Sequence, residues 1–388
     1  MRRPDGLTHT EYRAYLRCLR STHERRIIVE VLNLDGDLLS HITPEVLDGQ
    51  VMVDVTQDPT RILDMTFLDP TRSIQFEPDS PGDAPLHRKR MIRVTYSVRV
   101  PDLERWVDCE VFTGPIWDFD RNGAVVSIVG HGKERQAMGN KWKPVTYKKK
   151  ERKTGVIKDL MAETGETALA VPNMPATMPE RLTVTRMDTI WPRVKKIARS
   201  MDRQLFYDGR GVLIMRRVPS RPVFTFAAGR DLLTDVQINR DPEGVFNIFE
   251  VVGAKPKGSK KRVRVVEKLP GQHPLSTQSL ARNGEPHFLA KREENRQIKT
   301  LAEARKRAER MRDDASKVIV EYAFDSIPFP HLDENDLVRV ICDEGTLQVR
   351  MARFSIPLGW EGAPPMTVGY VKRTMRRHNR RYGADRVG

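Results

Sequence analysis

Apolar and polar residues alternate with a period of two along much of this chain, and follow the helical period in only a few places. The clearest alternation is Met91–Val100, where Ile92, Val94, Tyr96, Val98 and Val100 share one face. Similar runs are Ile27–Asn33, ended by Asp35-Gly36, then Val51–Val55, Ile62–Phe67, Trp106–Thr113 and Ala124–Gly130. Asp120-Arg121-Asn122-Gly123 between the last two has hairpin-turn chemistry. A second set of strands is predicted after Pro222: VFTFAAG, Leu233–Ile238 and Phe246–Ala254, then Val318–Phe324, Leu337–Cys342, Leu347–Ile356 and Met366–Val371. Short strands separated by Gly, Pro, Asn and Asp predict sandwich or barrel-like domains.

Helical spacing marks four segments. Tyr12, Tyr15, Leu16 and Leu19 give the polar N-terminus a weak apolar face. Val156, Ile157, Leu160 and Met161 predict a short helix with Gly165 as its C-cap. Ile190, Val194, Ile197, Ala198 and Met201 predict a helix that Asp188 or Thr189 can cap, with Pro192 in its first turn. The period then changes to two, and Asp208-Gly209-Arg210-Gly211 predicts a turn between strands around Leu205–Tyr207 and Val212–Ile214. Leu301, Ala304, Ala308, Met311 and Ala315 stripe a longer helix opened by a Thr300/Glu303 capping box. Basic, weakly periodic stretches lie at Lys141–Lys153, at Lys255–Lys268 (a basic hairpin or loop) and at the C-terminus, where nothing apolar supports a fold.

The pattern therefore predicts an α+β, β-rich protein: two barrel-like β domains, a small α/β domain inserted between them, and a helix in the second half. The boundaries are an N-terminal arm at 1–24, a first β domain at 25–138, a linker plus insert at 139–218, a second β domain at 219–371 with its helix at 300–315, and a basic tail at 372–388.

Composition narrows the function. Lys plus Arg number 67 against 52 Asp plus Glu, a net charge of +15, which suits solubility or an anionic partner. Cys18, Cys109 and Cys342 are too few and too far apart for a disulfide framework or a zinc site, so free thiols are expected. No apolar run has the length of a membrane span, and the N-terminus lacks the apolar core of a secretory signal. Catalytic motifs are missing: no nucleophile elbow, phosphate loop, HExxH or dinucleotide glycine pattern occurs. The carboxylate pairs Asp64/Asp69 and Asp118/Asp120 fall at strand ends and turns, where Asp serves the backbone. Asp333-Glu334-Asn335-Asp336 has oxygen donors suited to a hard cation but not the EF-hand spacing, and reads far more readily as a turn before the strand LVRVI. No catalytic, cofactor-binding or metal residue is assigned. The basic runs could hold nucleic acid electrostatically, but no recognition motif accompanies them.

The order of the parts resembles the tail-hub proteins of tailed bacteriophages. Trp191, Tyr207, Asp208 and Gly209, then Asn247, Val251, Val252 and Gly253, fill that family's helix–turn–strand pattern. Leu332, Asp333, Asp336, Val338 and Val340 match its late-strand motif, and Thr113 with Gly114 its Thr-Gly strand turn. The likeness spans roughly residues 25–370. It implies a structural minor tail protein without catalysis, three copies of which form a ring whose six barrels join a sixfold tail tube to a threefold tip. It also implies partners among the distal tail ring, tape measure and tip or fibre proteins, viral DNA passing through the lumen without specific recognition, and a place in the virion after synthesis in the host cytoplasm. The chain ends soon after the second β domain, so fibre or peptidase domains are not expected. The basic arm and tail lie outside the family pattern and are expected to dock on neighbouring tail proteins. A nucleic-acid-binding protein and a cell-wall hydrolase are the alternatives.

Overall fold

The computed structural model describes residue 4 and residues 6–74, 90–139, 143–186, 188–240, 246–255, 261–273, 275–281, 283–294, 298, 300–315, 317–343, 345–359 and 366–374. The chain divides into two compact units. Unit 1 holds Met1–Gln237 and Tyr322–Gly369, and unit 2 holds Ile238–Glu321 and Tyr370–Gly388.

Unit 1 begins with helix α1 (His9–Leu19), closed at its start by the reciprocal Thr8/Glu11 capping box. Its apolar face is not free. Tyr12, Ala14, Tyr15, Cys18 and Leu19 are buried, and the Tyr12 hydroxyl lies 2.9 Å from Nε2 of His331. Strands β1 (Arg25–Leu32), β2 (Leu38–Ile42), β3 (Glu45–Asp54), β4 (Arg61–Leu68), β5 (Met91–Val100), β6 (Arg105–Asn122) and β7 (Val125–His131) follow. The alternating residues of β5 are buried as their spacing predicts. Thr95 and Ser97 on its other face are buried too, and the strand is paired on both edges, with β1 and with β6. The polar face is satisfied: the Ser97 hydroxyl donates to Asp108 at 2.5 Å.

Strand β6 corrects one expectation. The Thr113-Gly114 pair is not a turn, and the strand runs through it. Residues up to Pro115 pair with β5, and residues from Ile116 pair with β7. Gly114 sits at the change of partner, where a Cβ would lie 2.1 Å from the carbonyl oxygen of His131. Only glycine lets the two backbones pass so closely.

The insert comprises α2 (Glu134–Ala137), β8 (Val145–Tyr147), α3 (Lys153–Ala162), β9 (Leu169–Ala170), β10 (Leu182–Val184), α4 (Ile190–Arg199), β11 (Gln204–Tyr207) and β12 (Leu213–Arg216). Helices α3 and α4 bury Val156, Ile157, Leu160 and Met161 against Ile190, Trp191, Val194 and Ile197, a core of its own. Strand β12 pairs antiparallel with β11 and parallel with β9, and β10 pairs with β8.

Strand β13 (Phe224–Ala227) returns to the main sheet. The strand expected at Leu233–Ile238 forms only at its end, as β14 (Gln237–Arg240). Leu233 instead hydrogen-bonds the carbonyl of Asp325 in the approach to it. Unit 2 contains β15 (Ile248–Val252), β16 (Arg264–Lys268), β17 (Ala290–Glu294) and α5 (Leu301–Ala315). Strand β15 is central, antiparallel to β16 and parallel to β17. Phe249, Val251, Ala304, Ala308 and Met311 form its core, while Leu301 of the expected stripe stays exposed. The small alanines let α5 lie close to the sheet.

The chain closes with β18 (Lys317–Asp325), β19 (Leu337–Cys342), β20 (Gly345–Pro357) and β21 (Met366–Thr374). Strands β14, β18 and β21 each hold residues of both units. Within unit 1 the main sheet runs β13–β19–β20–β3–β4–β7–β6–β5–β1–β2. The two strand sets thus share one sheet, joined where Arg353–Pro357 of β20 pair with Gln50–Asp54 of β3. The fold is α+β and β-rich. Among the described residues the strand order does not close into a barrel, because the second edge of β3 is taken by β20. The expected basic tail lies outside the described residues from 375 onward.

Candidate functional site

The residues that carried the family likeness sit where backbones meet. In unit 1 the Asp208–Gly211 turn of the insert is pressed on β6. A Cβ on Gly209 would lie 2.2 Å from the carbonyl oxygen of Glu110, and the Thr113 hydroxyl donates to the Gly209 carbonyl at 3.0 Å. Gly211, at φ +73°, supplies the left-handed bend against the Thr113 side chain. The Asp208 carboxylate holds the turn by accepting from the backbone N–H of Arg210 and Val212, each at 3.0 Å. Tyr207 just before it is buried, and burial followed by the nearby Glu166 carboxylate pushes its hydroxyl far above the ordinary tyrosine range. Trp191 stacks on Tyr207 at 5.7 Å between ring centroids and donates through Nε1 to Asp58 at 3.0 Å. These aromatics are packing residues, and the Trp191 indole ties the insert to the segment just before β4.

The Leu332–Asp336 loop forms a second junction. It is a tight turn: Asp333 N–H donates to Asp336 Oδ2 at 3.0 Å, and Asn335 takes a positive φ of 55°. Arg216 of β12 donates to the Glu334 carbonyl at 2.8 Å and pairs with Asp336 at 3.1 Å. Thr60, Arg61 and Glu134 complete a buried cluster with Asp333, Glu334 and Asp336. Burial, then the neighbouring Glu134, pushes Glu334 up to about 8. Asp333 is also raised, by burial and by Asp336, and Glu134 by burial. Sequence reasoning reached only the loop, because Thr60, Arg61, Glu134 and Arg216 are distant in the chain and carry no motif. The hard-cation alternative gains nothing: among the described residues no group of three or more His, Cys, Asp or Glu is placed to hold a metal.

The other singled-out carboxylates serve the backbone or solvent. Asp69 accepts from the N–H of Ser73 at 2.8 Å and pairs with Arg121 at 3.1 Å, while Asp64, Asp118 and Asp120 are exposed. They do not converge on a cleft. In unit 2, Asn247 is fully buried and bridges two strands: its Nδ2 donates to the His287 carbonyl and its Oδ1 accepts from Leu289 N–H, both at 2.8 Å. Gly253 ends the motif where a Cβ would meet the Ile298 carbonyl at 2.5 Å.

A cluster of exposed apolar side chains in unit 1 lies at an edge strand of the main sheet. Leu34, Leu38 and Leu39 are 49%, 51% and 45% exposed, on and before β2, whose outer edge pairs with no described strand. Beside it Leu47 is exposed, and a groove of about 710 Å3 is lined by Arg25, Ile27, Val46, Leu47 and Leu358 among others. A bare edge with large apolar side chains is a template for association.

This arrangement, an open mixed sheet carrying a helical insert plus a small three-stranded unit with one helix, is similar in fold to solved structures of phage and prophage tail proteins. It is shared by the 43 kDa tail protein of prophage MuSo2 from Shewanella oneidensis, with a TM-score of 0.60 at 13% identity over 90% of this chain and 99% of that one. A tail protein from Neisseria meningitidis MC58 matches with a TM-score of 0.56 at 14% identity, over 89% and 96% of the two chains. A Francisella PdpA-VgrG complex contains a chain that matches at 0.50 and 9% identity, over 94% of this chain and 61% of that one. No protein-family profile and no curated protein matches the sequence.

Proposed function

We propose that this protein is a structural subunit of a phage-type tail tip, a hub that adapts a sixfold tube to a threefold tip as a ring of three copies. The observation that carries this reading is the fold itself, shared with two tail proteins over 89–90% of this chain and 96–99% of theirs. The exposed leucines and unpaired edge of β2 suit a ring, since closed cyclic assembly covers edges that would otherwise aggregate. The family motif residues serve packing and turns, which is the use a scaffold makes of them. Two strand-rich sections, at 25–138 and 219–371, then supply six ring positions from three chains, with the insert at 139–218 between them. Neighbouring tail proteins are the partners, the virion is the location, and DNA crosses the lumen without being read. No catalysis is assigned.

The nucleic-acid alternative has less support. In unit 2, arginines of the basic surface are engaged by carboxylates of their own unit: Arg307 with Glu293 at 2.6 Å, Arg312 with Glu267 at 3.2 Å, and Arg264 with Glu250. The test is assembly. Mass measurement of the purified chain is expected to give a trimer at moderate salt, and Leu38→Asp with Leu39→Asp is expected to leave a folded monomer. A wild-type monomer that binds DNA tightly and salt-sensitively would overturn the reading.

A further inference from the structure

Thr60 places one hydroxyl between two carboxyl groups. Its Oγ1 lies 2.7 Å from Oε1 of Glu134 and 2.5 Å from Oε1 of Glu334. A hydroxyl has one hydrogen and can donate to only one of the two. The other contact is a hydrogen bond only if that carboxyl is protonated and donates to the hydroxyl oxygen. All three residues are buried. We propose that Glu134, Thr60 and Glu334 form a built-in one-proton site that latches the Leu332–Asp336 loop to the start of β4 and to α2, and that losing the proton frees the loop.

The surroundings favour retention of the proton. The buried Arg61 favours ionisation of both glutamates, but it makes no hydrogen bond to either: its Nη1 donates to the Val111 carbonyl at 2.8 Å and its Nη2 stands 3.7 Å from Asp333. Arg216 faces the same loop from β12 and is held by Asp336 and the Glu334 carbonyl. Four carboxyls, those of Glu134, Glu334, Asp333 and Asp336, therefore face two guanidinium groups. Asp58 adds negative charge near Glu134 and is itself engaged by Lys195 at 2.7 Å. Oε2 of Glu134 has no hydrogen-bond partner and lies where a side chain on Gly132 would be. With both acids ionised, one would lose its hydrogen bond and two like charges would share one hydroxyl.

A path for the proton exists. Thr60 and Glu334 line a cavity of about 270 Å3 whose other walls include Lys195, Arg199, Asp202 and Arg203. The loop is also a mechanical node. Asn335 and Asp336 exchange backbone hydrogen bonds with Met351 of β20 at 3.0 and 2.9 Å, and Glu334 anchors Arg216 of the insert. Releasing the loop would loosen the insert from the sheet, which makes the attachment pH-dependent within a single subunit.

The test is amide hydrogen exchange on the full chain between pH about 6 and about 9, corrected for intrinsic rates, following peptides over 332–337 and 213–218. Exchange protection there is expected to fall with rising pH, by at most about tenfold per pH unit for one linked proton. Glu334→Gln carries a permanent neutral donor and is expected to abolish the dependence, as is Glu134→Gln. Protection that does not change with pH in the wild type, or that changes equally in both variants, overturns the proposal. Should neither variant fold, infrared spectroscopy of the wild type decides. A protonated-carboxyl band that persists at neutral pH and disappears as the loop loses protection supports the site, and absence of that band at neutral pH overturns it.

Discussion

Replacing Gly209 by alanine tests how the insert is fixed to the sheet. The new Cβ would stand 2.2 Å from the Glu110 carbonyl oxygen, 3.0 Å from its carbon and 3.1 Å from the carbonyl carbon of Val111. All three are backbone atoms of β6, at a bulge where Val111 is unpaired but its neighbours Glu110 and Phe112 pair with Thr95 and Val94 of β5, so they cannot swing aside as a side-chain end can. Ordinary contact requires the turn to retreat by roughly 1 Å, which forfeits much of the dispersion contact on that face. The same movement lengthens the 3.0 Å bond from Thr113 to the Gly209 carbonyl. Overpacking costs about 1–3 kcal/mol and the lost hydrogen bond about 1 kcal/mol more, so a loss of about 2–4 kcal/mol is expected. That is a large part of the stability of a typical domain. Urea unfolding measures it as a lowered midpoint at an unchanged slope. Gly155→Ala is the control. It lies in α3 with no atom nearer than 4.0 Å and should be neutral or stabilising by up to about 1 kcal/mol. A Gly209→Ala protein as stable as the wild type would refute the claim that this backbone approach holds the insert.

Trp191→Phe keeps the stack on Tyr207 but leaves Asp58 without the indole N–H; a loss of about 1–2 kcal/mol in thermal or urea unfolding is expected. Asn247→Ala removes two buried bonds across unit 2 and should cost about 2–4 kcal/mol, read as faster exchange of the Leu289 amide. Stability should also depend on pH through Glu334. Its folded form keeps a proton up to about 8, whereas the unfolded chain releases it near 4.5. The folded state then binds more protons in that window, so stability declines as pH rises through it, by at most about 1.4 kcal/mol per pH unit, and Glu334→Gln should flatten the profile.

The sequence made the local elements legible where one face is buried and the period is clean. Met91–Val100, Leu337–Cys342 and the α4–β11–β12 unit fall where the apolar spacing put them. It failed where pairing, not periodicity, decides. Strand β6 continues through Thr113-Gly114-Pro115 because it changes partners there, and no pattern in one strand announces its neighbour. The two strand sets read as separate domains because the β20–β3 pairing joins residues about 300 positions apart, a non-local contact with no local signature. The N-terminal segment read as an arm because Tyr12 and Tyr15 give a narrow stripe, whereas both rings also pack on His331, which only the fold brings near. The motif residues were recognisable, but their reason was not. Gly209, Gly114 and Gly253 are needed by carbonyl groups elsewhere in the chain, and Glu334 is pushed up by its burial and then by Glu134, which only the fold brings near.

The central claim, that this chain is a tail-tip scaffold working as a ring, is tested most directly by electron microscopy of the purified chain. The account predicts hollow particles with threefold symmetry and sixfold-like density, which the Leu38→Asp, Leu39→Asp variant fails to form. Monomers at every concentration, or rings of another symmetry, would contradict it.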